Sequence, residues 1–537
     1  MRTKASNDTK SILSHLYQFN IKVLFESIFI GLFSGLIVVA YRLAIHESDD
    51  FRHYIYDNIK DHNGYWIVIL FVLLTLIGFL LNKIMKKAPM AKGSGIPQIK
   101  GYLMHKLELN WLKDILVKFF GGVLALGAGL SLGREGPSIQ IGASTGLGFS
   151  KTLKRSNLEE RYLITAGASA GLSAAFNAPM AGVMFALEEL HRHFSPVLLI
   201  SSIAASVTAD FVSRNFFGLD PIFSFENIQL LPLKYYGYVI LLGILIGFLG
   251  KTFNFTLLFV QKHYSENKKI KNHLKIIIPL LISGVIGLTL PQVLGGGSHL
   301  IKDLNTSEIV LSMIVILFVV KLLFTALSYG TGVPGGIFLP ILVLGALVGK
   351  GFGVLLIEND FIAGDYVLNF MTLAMAAYFT AVVKAPITGS ILIMEMTGSL
   401  GHFLPLIIVS LTAYVVADFV NSKPIYVSLL ERFFVSEADT PRKTKKGKAI
   451  LEMHVAFGSE IEHKKLRDVE LPEHCQMVSI RRGEEELIPN NNLEVLPGDC
   501  LIIIAEDHHA PELRETLQKF TEEPGKHMKT MIYREKK

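Results

Sequence analysis

Residues 131–138 read SLGREGPS, and they sit inside one of the most apolar parts of the chain. VKFFGGVLALGAGL (117–130) precedes them and IQIGASTGLGF (139–149) follows. Two charges, Arg134 and Glu135, thus stand side by side between glycines and before Pro137, in surroundings that read as lipid or packed interior. Glycine permits close approach and unusual backbone angles, and proline is favoured at the start of a helix, where its missing N–H costs nothing. The stretch therefore reads as a helix N-terminus. Such a terminus carries free N–H groups and a partial positive charge, which together favour an anion.

The flanks extend this reading to the whole chain. Of 537 residues, 50% are hydrophobic and 18% charged, against about 25% charged in an average soluble domain. Apolar runs recur at 23–45, 65–85, 112–132, 196–213, 235–258, 274–294, 308–328, 368–383 with 387–397, and 403–420. Each is long enough, or nearly so, to cross about 30 Å of hydrocarbon. One such run could be buried in a soluble core; nine or more cannot, and the chain reads as a polytopic membrane protein. Residues 1–22 are polar and the first apolar run continues at spanning length without a small-residue cleavage site, unlike a secretory leader. Lys and Arg crowd the end of the membrane region (RKTKKGK, 442–448), which puts that side in the cytoplasm. The N-terminus, with Arg2, Lys4 and Lys10, points to the same side. Topology then accounts for the net charge of +6, with no nucleic-acid partner. Cys475 and Cys500 both follow the membrane part and read as reduced thiols.

Inside a membrane a broken helix is tolerated only where its backbone is buried in protein or lines a cavity. SLGREGPS shares its design with GSGIP (93–97) and GGIFLP (335–340). Any one of them also fits an ordinary kink for helix packing. The three together gain weight from an internal repeat. FNAPMAGVMFALEE (176–189) aligns with VKAPITGSILIMEM (383–396), and GREGPSIQIGA (133–143) with GIFLPILVLGA (336–346). GSGIPQIK (93–100) aligns more weakly with GGGSHLIK (295–302). The order is kept and the offsets are 207, 203 and 202, so two halves, about 20–215 and 235–430, read as duplicates. In transporters such halves are often inverted, with the substrate site between them. Several helix N-termini converging there would hold an anion weakly enough to release it.

Glu135 is the sharpest residue. A carboxylate at membrane depth is costly and marks a functional position. Its repeat counterpart is Phe338, so the scaffold does not demand an acid there. Neighbours on a helix point about 100° apart, which argues against a direct Arg134–Glu135 pair and leaves Arg134 a structural role. Glu188 matches Glu395 in the repeat and reads as structural, whereas Glu189 faces Met396 and is the better functional candidate. His191 and His193 read as interfacial, and His508 and His509 as solvated. No Walker loop, catalytic triad or metal-spaced cluster stands out, which points to neither an enzyme nor a cofactor.

GSGIP, GREGP, GGIFLP and the tyrosine of NSKPIY (421–426), in this order, resemble the CLC family of chloride channels and chloride/proton antiporters, over about residues 15–430. The resemblance implies an all-α membrane fold of tilted and re-entrant helices in two inverted halves, and a homodimer with one ion pathway per subunit. It implies chloride as the bound substrate and no cofactor. The Ser94 hydroxyl, the Tyr426 phenol and the backbone N–H groups of Ile337 and Phe338 would hold the central anion. Backbone groups around Arg134 and Gly136 would serve the external site. Glu135 would be the gating glutamate, and Glu189 the internal proton-transfer glutamate. Leu339 departs from the family, where many members have a smaller residue, and implies altered packing. Serine at 94 resembles the chloride-selective rather than the nitrate-preferring branch, and intact GSGIP and GREGP disfavour the fluoride exporters. A coupled antiporter is the first reading, on Glu135 and Glu189 as two protonatable stations; a passive voltage- or pH-gated chloride channel with the same pore is the alternative. A third, a sensor with a vestigial pore, is opposed by Ser94, Glu135 and Tyr426.

Beyond the membrane part the pattern changes. AILEMHVAF, QMVSIRR, EELIP and CLIIIAE read as short strands, with helices expected at 459–469 and 510–520. This gives a 1–14 cytoplasmic tail, the 15–430 transport domain, a 431–446 linker, a small α+β domain at 447–523 and a polar tail at 524–537. The α+β domain does not look like paired CBS domains. It resembles the RCK/TrkA C-terminal domain of potassium-transport regulators. That likeness implies a cytoplasmic, often dimeric, ligand-sensing module, with a cyclic dinucleotide as one candidate ligand. The combination suggests a multi-pass protein of a bacterial inner membrane with both termini cytoplasmic.

Overall fold

The computed structural model describes residues 2–61, 65–192, 194–223, 225, 229–265, 267, 269–306, 309–437, 448–456, 458–483, 485–506 and 510–522. The expected polar tail, the linker residues 438–446, and His193, His508 and His509 lie outside these. The chain divides into two compact units, residues 1–435 and 436–537.

The first unit is helical: α1 (Arg2–Asp61), α2 (Tyr65–Met85), α3 (Ile96–Leu103), α4 (Trp111–Gly127), α5 (Glu135–Thr152), α6 (Asn157–Phe176), α7 (Pro179–Phe185), α8 (Pro196–Phe217), α9 (Tyr236–Val260), α10 (Leu274–Thr289), α11 (Ser298–Thr306), α12 (Leu311–Gly330), α13 (Phe338–Glu358), α14 (Val367–Val383), α15 (Pro386–Thr397), α16 (Phe403–Phe419) and α17 (Ile425–Glu437). A π-helical turn, Ala186–His191, continues α7. Eight of the described helical stretches are long and apolar enough to cross a membrane. Their exposed residues include Phe25, Phe211, Phe255 and Phe419, the surface a helix presents to lipid rather than to water. The chain is a multi-pass membrane protein. The expected N-terminal tail is helical from Arg2 as part of α1, and the first residues of the expected linker continue α17 to Glu437. The apolar runs passed over 338–358, which Lys350 and four glycines interrupt, yet α13 is of spanning length.

At the centre α5 packs on α6 and α13 on α14, and these helices are almost wholly buried. Small residues bring the backbones together. A Cβ added at Gly142 would lie 2.0 Å from the Gly167 carbonyl oxygen, and one at its repeat counterpart Gly345 would lie 2.7 Å from that of Ala374. Where lipid removes the hydrophobic drive between helices, such close packing supplies the cohesion.

The duplication is visible in the backbone. Gly95 and Gly297 both have φ of +90°, before α3 and α11. Two buried lysines at the repeat offset, Lys118 and Lys321, reach the carbonyls of the matched Gly93 and Gly295 at 2.5 and 2.9 Å. Gly133 and Gly336 meet as an antiparallel pair, each N–H donating to the other's carbonyl at 2.7 Å. Equivalent residues exchanging equivalent bonds is the signature of two inverted halves.

The second unit is a four-stranded antiparallel sheet of order β1-β4-β2-β3, with β1 (Lys448–His454), β2 (Cys475–Arg482), β3 (Glu485–Leu487) and β4 (Cys500–Glu506), followed by α18 (Ala510–Glu522). Met453, Ile480, Val495, Leu501, Ile503 and Leu517 form its core. The helix expected at 459–469 is absent: only Leu466–Asp468 forms a single 3-10 turn. The backbone there bonds sideways instead. His463 and Leu466 N–H donate to the carbonyls of Val495 and Leu493, and Val495 N–H to that of Lys464. Cys475 and Cys500 are both free thiols.

Asp499, 1% exposed, turns the chain into β4. It accepts from Arg482 at both carboxylate oxygens, each at 2.8 Å, and from Leu496 N–H at 2.8 Å. Burial pushes this carboxyl up, but the Arg482 hydrogen bonds and charge, with the Leu496 N–H, outweigh it and hold it below the usual value. A depressed carboxyl stabilises the fold above its unfolded value of about 4, and that contribution is lost as pH falls through the folded value. Asp499→Asn should cost about 1.5–3 kcal/mol. Hydrogen exchange of the β2 and β4 amides in the full chain checks this: exchange is faster than wild type at pH 7, and the difference closes below about pH 4.

Candidate functional site

Three helix N-termini meet where the halves join. The first is that of α3. Gly95 precedes it in a left-handed conformation, and a Cβ there would lie 2.2 Å from Gln140 Oε1 on α5, so only glycine fits both angle and space. Pro97 is the second residue of α3, while Pro137 and Pro340 are the third of α5 and α13, not the first as the motifs suggested. The cost is nil either way, because the first four N–H groups of a helix have no intrahelical partner.

The other two termini complete the junction. A methyl at Gly136 would lie 2.8 Å from Ser94 Cβ, so α3 and α5 begin in contact. A methyl at Gly336 would lie 3.1 Å from Gly136 N, so α5 and α13 do too. Arg134 is the residue before α5, its carbonyl accepting from Ser138 N–H at 3.0 Å and Ser138 Oγ at 2.9 Å. Its Nε is buried and has no hydrogen-bond partner among the described residues. Ile337 is the residue before α13, and Phe338 its first. The Phe338 ring lies against Phe379, Phe176 and Phe185, with centroids 4.5, 5.3 and 6.5 Å away.

Glu135, 0% exposed, is the first residue of α5. Neither of its carboxylate oxygens makes a well-aligned hydrogen bond among the described residues, and the N–H groups of Glu135 itself and of Leu339 face them. A methyl at Gly133 would lie 2.3 Å from Glu135 Oε2 and 3.2 Å from Leu339 N, so the carboxylate shares its space with the first turn of α13. Tyr426 Oη is likewise buried without a partner among the described residues, and Ser94 Oγ is buried beside the Tyr329 hydroxyl. Tyr426 is the second residue of α17 and fully buried. Buried polar atoms are ordinarily satisfied. A buried carboxylate and hydroxyls at helix N-termini suit a site that exchanges one anionic group for another.

Glu189 is elsewhere, in the π-helical turn after α7, 1% exposed. Its Oε1 accepts from Lys100 Nζ on α3 at 2.5 Å, and Arg192 stands 3.9 Å from Oε2. The sequence reading missed Lys100, since an alignment column shows that Lys100 matches Lys302 but not what either touches. Nor did it foresee what the matched pair Glu188 and Glu395 do. Glu188 accepts from Ile387 and Thr388 N–H at the start of α15, at 3.2 and 2.7 Å. Glu395 accepts from Met180 and Ala181 N–H at the start of α7, at 3.0 and 2.8 Å. Each half caps a helix of the other. His191, read as interfacial, lies 2.6 Å from Thr165 Oγ1 through its Nε2.

Residues 75–418 match the family model described as voltage gated chloride channel, and residues 450–518 match the TrkA-C domain. The H(+)/Cl(-) exchange transporter ClcA of Vibrio parahaemolyticus is 36% identical over 454 residues, covering 80% of this chain and 96% of that protein. ClcA of Salmonella schwarzengrund is 35% identical over 428 residues, covering 76% and 88%. Among solved structures, a slow cyanobacterial Cl-/H+ antiporter superposes with a TM-score of 0.73 at 32% identity, covering 78% of this chain and 99% of that one. A eukaryotic CLC transporter shares the fold, with a TM-score of 0.65 at 19% identity over 86% of this chain and 79% of that one. The chain belongs to the voltage gated chloride channel family, and it carries a TrkA-C domain after the membrane part.

The reciprocal caps give a test of the fold at the site. Glu188→Ala and Glu395→Ala should each lower stability in detergent by about 0.5–2 kcal/mol, the usual worth of a lost N-cap. The matched glutamines, which keep one acceptor oxygen, should lose less. Thermal unfolding of the four purified variants measures the order.

Proposed function

We propose that this protein is a chloride/proton antiporter of a bacterial inner membrane, with both termini cytoplasmic. The observation that carries the reading is Glu135: a fully buried carboxylate with no side-chain partner among the described residues, at the meeting point of three helix N-termini. The likeness to exchange transporters over 80% of the chain supports it. Ser94, Tyr426 and the backbone N–H groups of Ile337 and Phe338 would hold a central chloride. Backbone groups around Arg134 and Gly136 would hold an outer one. Ionised, Glu135 occupies the anion position itself; protonated, it loses the attraction of the helix termini and yields to chloride. That exchange links the two ions. Glu189 would take protons from the cytoplasmic side. The subunit would work as a homodimer, one pathway each. The TrkA-C domain would act as a cytoplasmic sensor of a small ligand, a cyclic dinucleotide being one candidate.

Reconstitution into liposomes with an imposed chloride gradient tests this. The expected result is uphill proton movement driven by chloride. Glu135→Gln and Glu135→Ala should abolish it while chloride still passes, and Glu189→Gln should do the same from the inner side. Chloride flux without proton movement in the wild type would instead leave a passive channel with the same pore.

A further inference from the structure

The Lys100–Glu189 pair is not explained by the scaffold. Their side chains are 8% and 1% exposed, and the contact is 2.5 Å. Taking two charges out of water is costly and is repaid only by close pairing. The repeat keeps no such pair in the other half: the counterpart of Glu189 is Met396, and that of Lys100 is Lys302, which is exposed. Other charges near Glu189 are committed or solvated. Glu188 caps α15, and Arg192 is 50% exposed and stands 3.9 Å from Oε2. Glu189 also lies in a π-helical turn, a form that recurs at functional positions.

Lys100 has a second connection. It is in the last turn of α3, and Ser94, just before that helix, touches Gly136 beside Glu135. The five helical residues from Ile96 to Lys100 span roughly 7.5 Å. One short helix therefore bears on the proposed anion site at one end and on Glu189 at the other.

We propose that Lys100 is a positioning residue for proton transfer at Glu189, an inference that rests on the antiporter reading. Its ammonium fixes the Glu189 carboxylate in place. A proton arriving from the cytoplasm adds to that carboxylate and turns the ion pair into an ammonium beside a neutral acid. Lys100 keeps its own proton throughout. The weakened contact frees the protonated side chain to pass its proton toward Glu135, and the returning carboxylate restores the pair.

The test uses full-length protein in liposomes with an imposed chloride gradient, comparing wild type, Lys100→Met, Lys100→Arg and Lys100→Met/Glu189→Gln. Lys100→Met should lower proton flux on the order of tenfold or more while chloride flux stays within about twofold, since one partner of a buried pair is gone. Lys100→Arg, which keeps the charge, should recover most of the proton flux. Proton pumping by Lys100→Met at the wild-type rate, or no recovery in Lys100→Arg, overturns the proposal. Should Lys100→Met lose chloride flux too, the double variant decides, because it leaves no charge buried alone. Restored chloride flux there supports the pair, and flux still lost assigns Lys100 to packing. A wild-type protein that moves chloride without protons overturns the antiporter reading itself, an outcome independent of Lys100.

Discussion

Two hydrogen bonds between Gly133 and Gly336, each 2.7 Å, fix the geometry on which the rest depends. At membrane depth an open backbone group costs several kcal/mol, and no water is at hand to satisfy it. Breaking α5 and α13 at the centre of the protein is therefore possible only because each break meets the other's needs. Once the two glycines are bridged, Gly136 lies against Ser94, the first turn of α13 faces Glu135, and three helix termini open on one place. The bridge also explains why side chains are missing there, since a methyl at Gly336 would crowd Gly136 N at 3.1 Å.

The scaffold is symmetric but its chemistry is not. Matched glycines take matched angles, matched lysines reach matched carbonyls, and matched glutamates cap each other's helices. At the positions proposed to carry the protons the match ends. Glu135 stands against Phe338, whose ring is sunk in an aromatic cluster, and Glu189 stands against Met396. The repeat supplies the cradle twice, but at these two positions only the first copy carries an acid.

Much of this was legible in the sequence. Gly/Pro breaks in apolar runs locate helix starts, and near-constant offsets expose the repeat, because both are properties of the chain taken in order. The structural role of Glu188 and Glu395 followed from their identity across the repeat, although not the reciprocity of their bonds. What escaped depends on contacts between distant segments. Lys100 lies 89 residues from Glu189, and nothing local marks a lysine whose partner is that far off. The segment 459–469 has a helical composition, yet residues 491–495 offer its backbone other bonds, and tertiary pairing wins over propensity. In α13 four glycines and Lys350 hid a run that is apolar enough to span a membrane by composition alone.

The crossed caps have a consequence for how the chain is made. Glu395, which satisfies the start of α7, lies 215 residues after Met180. At roughly 5–20 residues per second of synthesis, the α7 terminus waits on the order of 10–40 s for its partner to emerge from the ribosome. Until the second half arrives, the Met180 and Ala181 N–H groups lack the carboxylate that caps them. A chain cut between the halves would leave the starts of both α7 and α15 without their caps, since each cap comes from the other half.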